Sequence, residues 1–336
     1  MNKIYILSII ILMLTSCEKE SIFNGQLPDP KLVLHSFIEP DSVIRVQVTR
    51  TRSIGQTDEA YIARNVEGEI YINGIEAGVL KLVKANEYTT DTKAREGDHI
   101  RLVVRAEEVK EASAEVTIPT IHPTIEVDTF VTINRYSEEL LNLKIHIKEP
   151  DEAYRHYRLL VQKQTESITT NLDLNRSLPS VISNSYSFNK DNEPLLVDKV
   201  QDLPWSDEED KNYYNIFTNA VFRGKDYTLN VSTHLEYSIW YKIYYVDMLR
   251  KEEGKQENLV RYLVKVLQLD EPSYLYLRSE QEASQSLGLL NDPIKIYSNV
   301  KNGLGVVGAY VTYTTQINSR AKESFYQEFY ENPFYK

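Results

Sequence analysis

The chain has one cysteine, two tryptophans and no surplus of basic residues. A single cysteine excludes an intrachain disulfide, a cysteine-built zinc knuckle and a cysteine-held iron–sulfur cluster. With 38 Lys and Arg against 49 Asp and Glu, the net charge is −11, so nucleic acid is not an expected partner. No apolar run reaches the ~20 residues of a membrane-crossing helix. HExxH, a GxSxG elbow and a Gly-rich lysine loop are missing, which removes the enzyme classes those motifs mark. What remains is the composition of a folded body, 42% hydrophobic and 26% charged. Its 336 residues suggest two domains. Tyrosine is the abundant aromatic, 24 against 9 Phe.

Lys3 precedes an apolar stretch of 11 residues, Ile4 to Leu14. The stretch is too short to span a bilayer and fits the h-region of a secretory signal. It ends in Leu14-Thr15-Ser16-Cys17, which resembles a bacterial lipobox. Residues 1–16 would then be a signal peptide, and Cys17 the acylated attachment point to outer-membrane lipid. Several acyl chains on one residue anchor stably. Glu18, Lys19 and Glu20 follow and resemble the Lys-acidic signal that exports lipoproteins to the cell surface.

Residues 17–30 read as a lipidated linker carrying Gly25, Pro28 and Pro30. Short strands follow. Val43 to Arg50 alternates apolar and polar residues, the period of a half-buried strand. Asn73-Gly74 after Ile70-Tyr71-Ile72 marks a hairpin. Seven such strands predict an immunoglobulin-like β-sandwich over 31–120, closed by Pro119 and Pro123. The fold class expected is mainly β, with a larger β-rich domain over 121–320 that carries a few inserted helices. In that domain 164–206 reads as a long polar loop, and Asp207 to Asn219 as a helix with an acidic first turn. Asp270 is placed to cap a helix with Pro272 in its first turn. Ile294 to Tyr297 and Val306 to Thr315 read as closing strands, and 321–336 as an aromatic tail.

Gly303-Leu304-Gly305-Val306-Val307-Gly308 is a literal GxGxxG. A dinucleotide site needs a helix after it and a further βαβ half. Here Ala309 to Thr314 alternates as a strand and only 28 residues remain, so the glycines read as a turn or bulge. His35, His99, His122, His146, His156 and His234 show no metal-ligand spacing. His146 and His156 fall on strands that could be neighbours, though partly exposed strand histidines are the simpler reading. Asp207 to Asp210 is acidic but lacks the spaced ligands and Gly of an EF-hand. No carboxylate pair stands out for glycoside hydrolysis. No catalytic residue, metal or cofactor is expected.

The aromatics form two clusters. Tyr237, Trp240, Tyr241, Tyr244 and Tyr245 read as core filling. Phe325, Tyr326, Phe329, Tyr330, Phe334 and Tyr335 crowd the last 12 residues, with 325/329 and 326/330 at helical spacing. They are the candidate partner-docking residues, since such side chains favour interfaces, and docking back onto the body is the alternative.

The order of landmarks resembles the Bacteroidota surface lipoprotein family known as domain of unknown function 4249. The resemblance runs from Cys17 through Leu32-Val33-Leu34, Asn65 to Ile70, Tyr88, Gly97 and Ala114 to Pro119. It continues in Tyr157-Arg158-Leu159, Phe217 to Tyr227, Ser298-Asn299-Val300, Asn302 to Gly305 and Gly308-Ala309-Tyr310. Val306-Val307 departs from the aromatic usual near that position. The resemblance implies a lipoprotein encoded beside a TonB-dependent outer-membrane receptor, with an accessory role in nutrient capture and no settled catalytic residues. The expected function is thus a non-catalytic accessory or binding component of such a transporter. Its ligand would be a small molecule, glycan or peptide. A structural or adhesion component is the alternative, and a degradative enzyme the third reading.

Overall fold

A computed structural model describes residues 29–52, 61–120, 123–200, 209–210, 212–247, 250–284 and 294–331. The chain is mainly β, in four sheets with one helix among the described residues.

The N-terminal strands follow the alternation. In β1 (Leu32–Ile38) and β2 (Val43–Arg50) every second residue is buried: Leu32, Leu34, Ile38, then Ile44, Val46 and Val48. Next come β3 (Glu67–Ile72), β4 (Ile75–Val79), β5 (Lys81–Lys84), β6 (Glu87–Lys93), β7 (His99–Ala106) and β8 (Val109–Thr117). Asn73 and Gly74 join β3 to β4 with φ of 52° and 81°. That double positive φ is what a two-residue type I′ turn requires. The sheet β4-β3-β7-β8 packs against the β5-β6-β2-β1 end of a 12-stranded sheet. Each large aliphatic side chain buried between them contributes about 1.5–3 kcal/mol.

The second body contains β9 (Thr124–Ile133), β10 (Glu139–Lys148), β11 (His156–Asn171), β12 (Arg176–Ser177) and β13 (Val181–Tyr186). It continues with β14 (Lys199–Val200), β15 (Glu209–Asp210), β16 (Ile216–Thr218), β17 (Asp226–His234), β18 (Ser238–Asp247) and β19 (Arg250–Leu269). Helix α1 (Glu271–Ser284), β20 (Leu304–Asn318) and β21 (Ala321–Glu331) complete it. The sheet β17-β10-β9 covers one face of β11 and β19. Leu143, Ile145, Ile147, Tyr157, Leu159, Leu229, Tyr262 and Val264 fill that core. On the opposite face α1 lies against Ile216, Leu267 and Leu269.

Strand β20 joins the two bodies. Its residues 304–309 run parallel to β1, and 310–318 run antiparallel to β19. Val307, Ala309 and Val311 belong to the first core. The sandwich expected over 31–120 therefore includes a strand from the far end of the chain.

Other expectations are corrected. The polar stretch after 164 is not all loop: β11 extends to Asn171, held between β19 and β13 by backbone pairing. Residues 212–219 form a turn and β16 rather than a helix. Asn215 sits at φ 54°, which breaks a right-handed helix, and the Asn212 side chain bonds the backbone of Ile216 in both directions. Ile294 to Tyr297 is not a strand. Residues 321–331 form β21, parallel to β18, with Phe329 opposite Tyr244 and Tyr330 opposite Tyr245, not a helical turn. In β18 itself Trp240, Tyr241 and Tyr244 are half-buried, so they do not fill the core as expected.

Candidate functional site

Cys17, Glu18, Lys19, Glu20, His122, Asp207, Phe334 and Tyr335 lie outside the described residues. Phe325, Tyr326, Phe329 and Tyr330 lie on β21. Glu209 and Asp210 pair through their backbone with Lys199 and Val200. Gly303, Gly305 and Gly308 lie at the entry to and within β20, the strand and turn setting expected for them. Among the described residues no group of three His, Cys, Asp or Glu could hold a metal ion. No helix there is long and apolar enough to cross a membrane.

His146 and His156 do not meet. His146, on β10, has Thr228 Oγ1 2.9 Å from Nδ1 and Asp128 Oδ2 3.2 Å from Nε2. Strand register brings the three together, since Thr228 is directly opposite and Asp128 is diagonal. Sequence reasoning missed this row because its members are 18 and 82 residues apart. The order hydroxyl, imidazole, carboxylate is that of a hydrolase relay. Yet Asp128 is 78% exposed and the row lies on an open sheet face. A relay needs excluded water and fixed oxyanion donors, and the ordinary account of the row is cross-strand pairing.

His156 lies beneath α1, stacked on Tyr274 at 4.4 Å and edge-on to Tyr154 at 5.0 Å. His35 meets both Phe37 and Tyr276 edge-on, at 5.3 and 5.2 Å. Burial lowers the pKa of both imidazoles, since a low-dielectric setting penalises the charged ring. Much of the tyrosine excess is thus spent between sheet and helix, where the ring packs and the hydroxyl finds a partner at the edge. Tyr214, for instance, donates to Glu280 at 2.7 Å.

Asp270 caps α1 as expected: its Oδ1 accepts from the Ser273 N–H at 2.9 Å. Its Oδ2 is buried with no partner among the described residues. Burial pushes this carboxyl up to about 6. The folded chain therefore holds a proton that the unfolded chain releases near 3.8. Stability from this group is present below about pH 4 and is lost as pH rises towards 6. Asp270→Asn keeps the cap and removes the buried charge. It should stabilise the protein by about 1–3 kcal/mol at pH 7.5. Denaturant titrations of parent and variant should converge near pH 4.

A cleft of about 400 Å³ opens beside this helix, lined by Arg158, Leu160, Tyr186, Phe188, Tyr213 and Asn215 among others. Alternation along β11 sets its floor: Tyr157, Leu159 and Val161 enter the second core, which turns Arg158 and Leu160 to the other face. The Arg158 Nε donates to the Tyr214 carbonyl at 3.0 Å, and the guanidinium lies 5.3 Å from the Tyr214 ring centre. Burial lowers its pKa. Asn215 Oδ1 accepts from Lys190 Nζ at 2.8 Å, and the same ammonium bonds the Asn212 carbonyl.

A buried network ties the ends of β10, β11 and β16. Arg155 Nη1 reaches Glu149 Oε2 at 2.6 Å, and Nη2 reaches Asp151 at 2.6 Å. Glu149 Oε1 accepts from the Tyr157 hydroxyl at 2.8 Å and from Asn219 Nδ2 at 3.0 Å. The Arg155 N–H donates to Asn219 Oδ1 at 2.8 Å.

Fold and site define a mainly β protein of two sandwiches on one shared sheet, with an arginine-floored aromatic cleft beside its helix. The sequence model of a domain of unknown function (DUF4249) matches residues 19–316, and the chain belongs to that family. No curated protein gives a significant match. The family match ends within β20, so β21 lies beyond it.

Proposed function

We propose that this protein is a lipid-anchored, non-catalytic binding or accessory module of a TonB-dependent outer-membrane transporter, facing the cell exterior. The observation that carries the reading is Leu14-Thr15-Ser16-Cys17 directly after an 11-residue apolar run, with Cys17 the only thiol in the chain. Acylation of that thiol supplies the anchor. The Arg158 cleft supplies a concave site of the size small ligands occupy. Strand β21 has one strand neighbour among the described residues, β18. Its aromatic residues are the receptor-docking element of this reading.

Cys17→Ala should move the protein from the membrane to the soluble fraction, read by immunoblot after cell fractionation. Unchanged membrane retention of a processed mutant would remove the lipid anchor from the account. The receptor is tested by affinity purification from detergent-solubilised outer membranes. A TonB-dependent barrel should accompany the chain, and repeated isolation of the chain alone would count against the accessory role. A hydrolytic role would instead rest on Thr228, His146 and Asp128. It would require glycan or peptide cleavage that disappears in Asp128→Asn.

A further inference from the structure

We propose that the cleft floored by Arg158 binds a small organic acid whose flat apolar body lies among Tyr186, Phe188 and Tyr213 and whose carboxylate meets the guanidinium. The inference rests on the binding-module reading above and names the ligand class of its cleft.

The first observation is the state of Arg158. Arg155 and Arg261 are withdrawn from full exposure, and each faces a carboxylate, Glu149 and Glu166. Arg158 is also partly buried, and among the described residues no carboxylate lies within ion-pair distance of it. Among the described residues its hydrogen bond uses Nε, and Nη1 and Nη2 have no partner there. A cation withdrawn from water without a counter-charge costs stability. In a chain of net charge −11, acidic partners are plentiful elsewhere. A ligand that brings its own carboxylate removes the cost and gains a charge-assisted, two-pronged contact.

The second observation is the wall. Tyr186 and Tyr213 are exposed and Phe188 is half-buried around a space of about 400 Å³. Exposed aromatic rings around a concave space suit a flat apolar body. Leu160 adds a further apolar surface. Asn215 adds direction: Lys190 occupies its Oδ1, and its Nδ2 has no partner among the described residues.

The third observation limits the charge of the ligand. Arg158 is a single cation, and the neighbouring Lys190 ammonium already bonds the Asn212 carbonyl and Asn215. One guanidinium balances one negative charge. A monoanion therefore fits better than a phosphate dianion, which would meet the acidic chain with half its charge unbalanced.

The test uses the full chain purified in detergent, without receptor. Benzoate, 4-hydroxybenzoate and indole-3-acetate are titrated beside their primary amides, acetate and inorganic phosphate, with ligand-observed NMR and calorimetry. At least one aromatic acid should bind about tenfold more tightly than its amide and than acetate. Arg158→Met should abolish that difference, and Arg158→Lys should restore only part of it, because a lysine lacks the fork. Tyr186→Ala should weaken acid and amide alike. Should Arg158→Met melt early, Arg158→Lys and Tyr186→Ala carry the test. Equal binding of acid and amide, an acid affinity indifferent to folded Arg158 variants, preference for phosphate, or no acid binding at millimolar concentration would each overturn the proposal. Such a failure leaves receptor co-purification untouched. Loss of co-purification with acid binding intact would instead overturn the receptor role.

Discussion

Arg155→Met is expected to destabilise the protein by about 3–5 kcal/mol. The Glu149 side chain is 0% exposed and that of Arg155 4%. Removing the cation leaves a buried carboxylate with, among the described residues, the Tyr157 hydroxyl and the Asn219 amide as its donors. Neutral donors do not replace a lost counter-charge in a dry site. The pair is not thereby a net source of stability, since two charges were taken out of water to form it. The double variant Glu149→Leu/Arg155→Met should therefore recover a large part of the loss. Asp151→Ala, which removes the 45% exposed partner, should cost under about 1 kcal/mol. Denaturant unfolding of the three variants checks the series. A single Arg155→Met within about 1 kcal/mol of the parent would mean that water reaches Glu149.

Gly305→Ala is expected to cost about 3 kcal/mol or more, and in cells to reduce soluble yield sharply. Gly305 has φ of +94°, a conformation in which a side chain costs about 1–3 kcal/mol. A Cβ there would also drive into the carbonyl oxygen and amide nitrogen of Leu34. These are backbone atoms of the facing parallel strand, paired with Gly305 in register. They cannot turn aside as a side chain would, so relief means parting β1 from β20. Leu304→Ala, at an exposed position one residue earlier, is the control and should stay within about 1 kcal/mol. Similar midpoints for the two variants would show that the strands can separate at little cost.

Local signals in the sequence located much of the fold. Alternation located β2, Asn73-Gly74 located a hairpin, and Asp270 with Pro272 located the helix start. The misreadings share a cause, which is that one local pattern suits two structures. Phe325 and Phe329 are four residues apart, as are Tyr326 and Tyr330. Four residues is about one helical turn, and it is also two strand repeats, so the same spacing lines one face of either. The choice fell to β18, whose edge accepts β21. Residues 164–171 carry little apolar signal, and their strand exists through pairing on both sides. The candidate site was less legible still. Tyr157-Arg158-Leu159 was visible as a family landmark, but that Arg158 lacks a carboxylate depends on what the fold brings near it. No spacing in one dimension encodes that.

Because Val33 pairs with Leu304, the first sandwich waits for a strand about 270 residues downstream. A chain emerging amino end first exposes the open side of β1 until almost all of it has arrived. Pairings this distant are slow to close, and an open strand edge in the meantime invites pairing with other chains. The amino-terminal sandwich is thus completed by β20. Until β20 arrives the sheet stays incomplete, and a fragment cut near residue 120 would keep that edge permanently open.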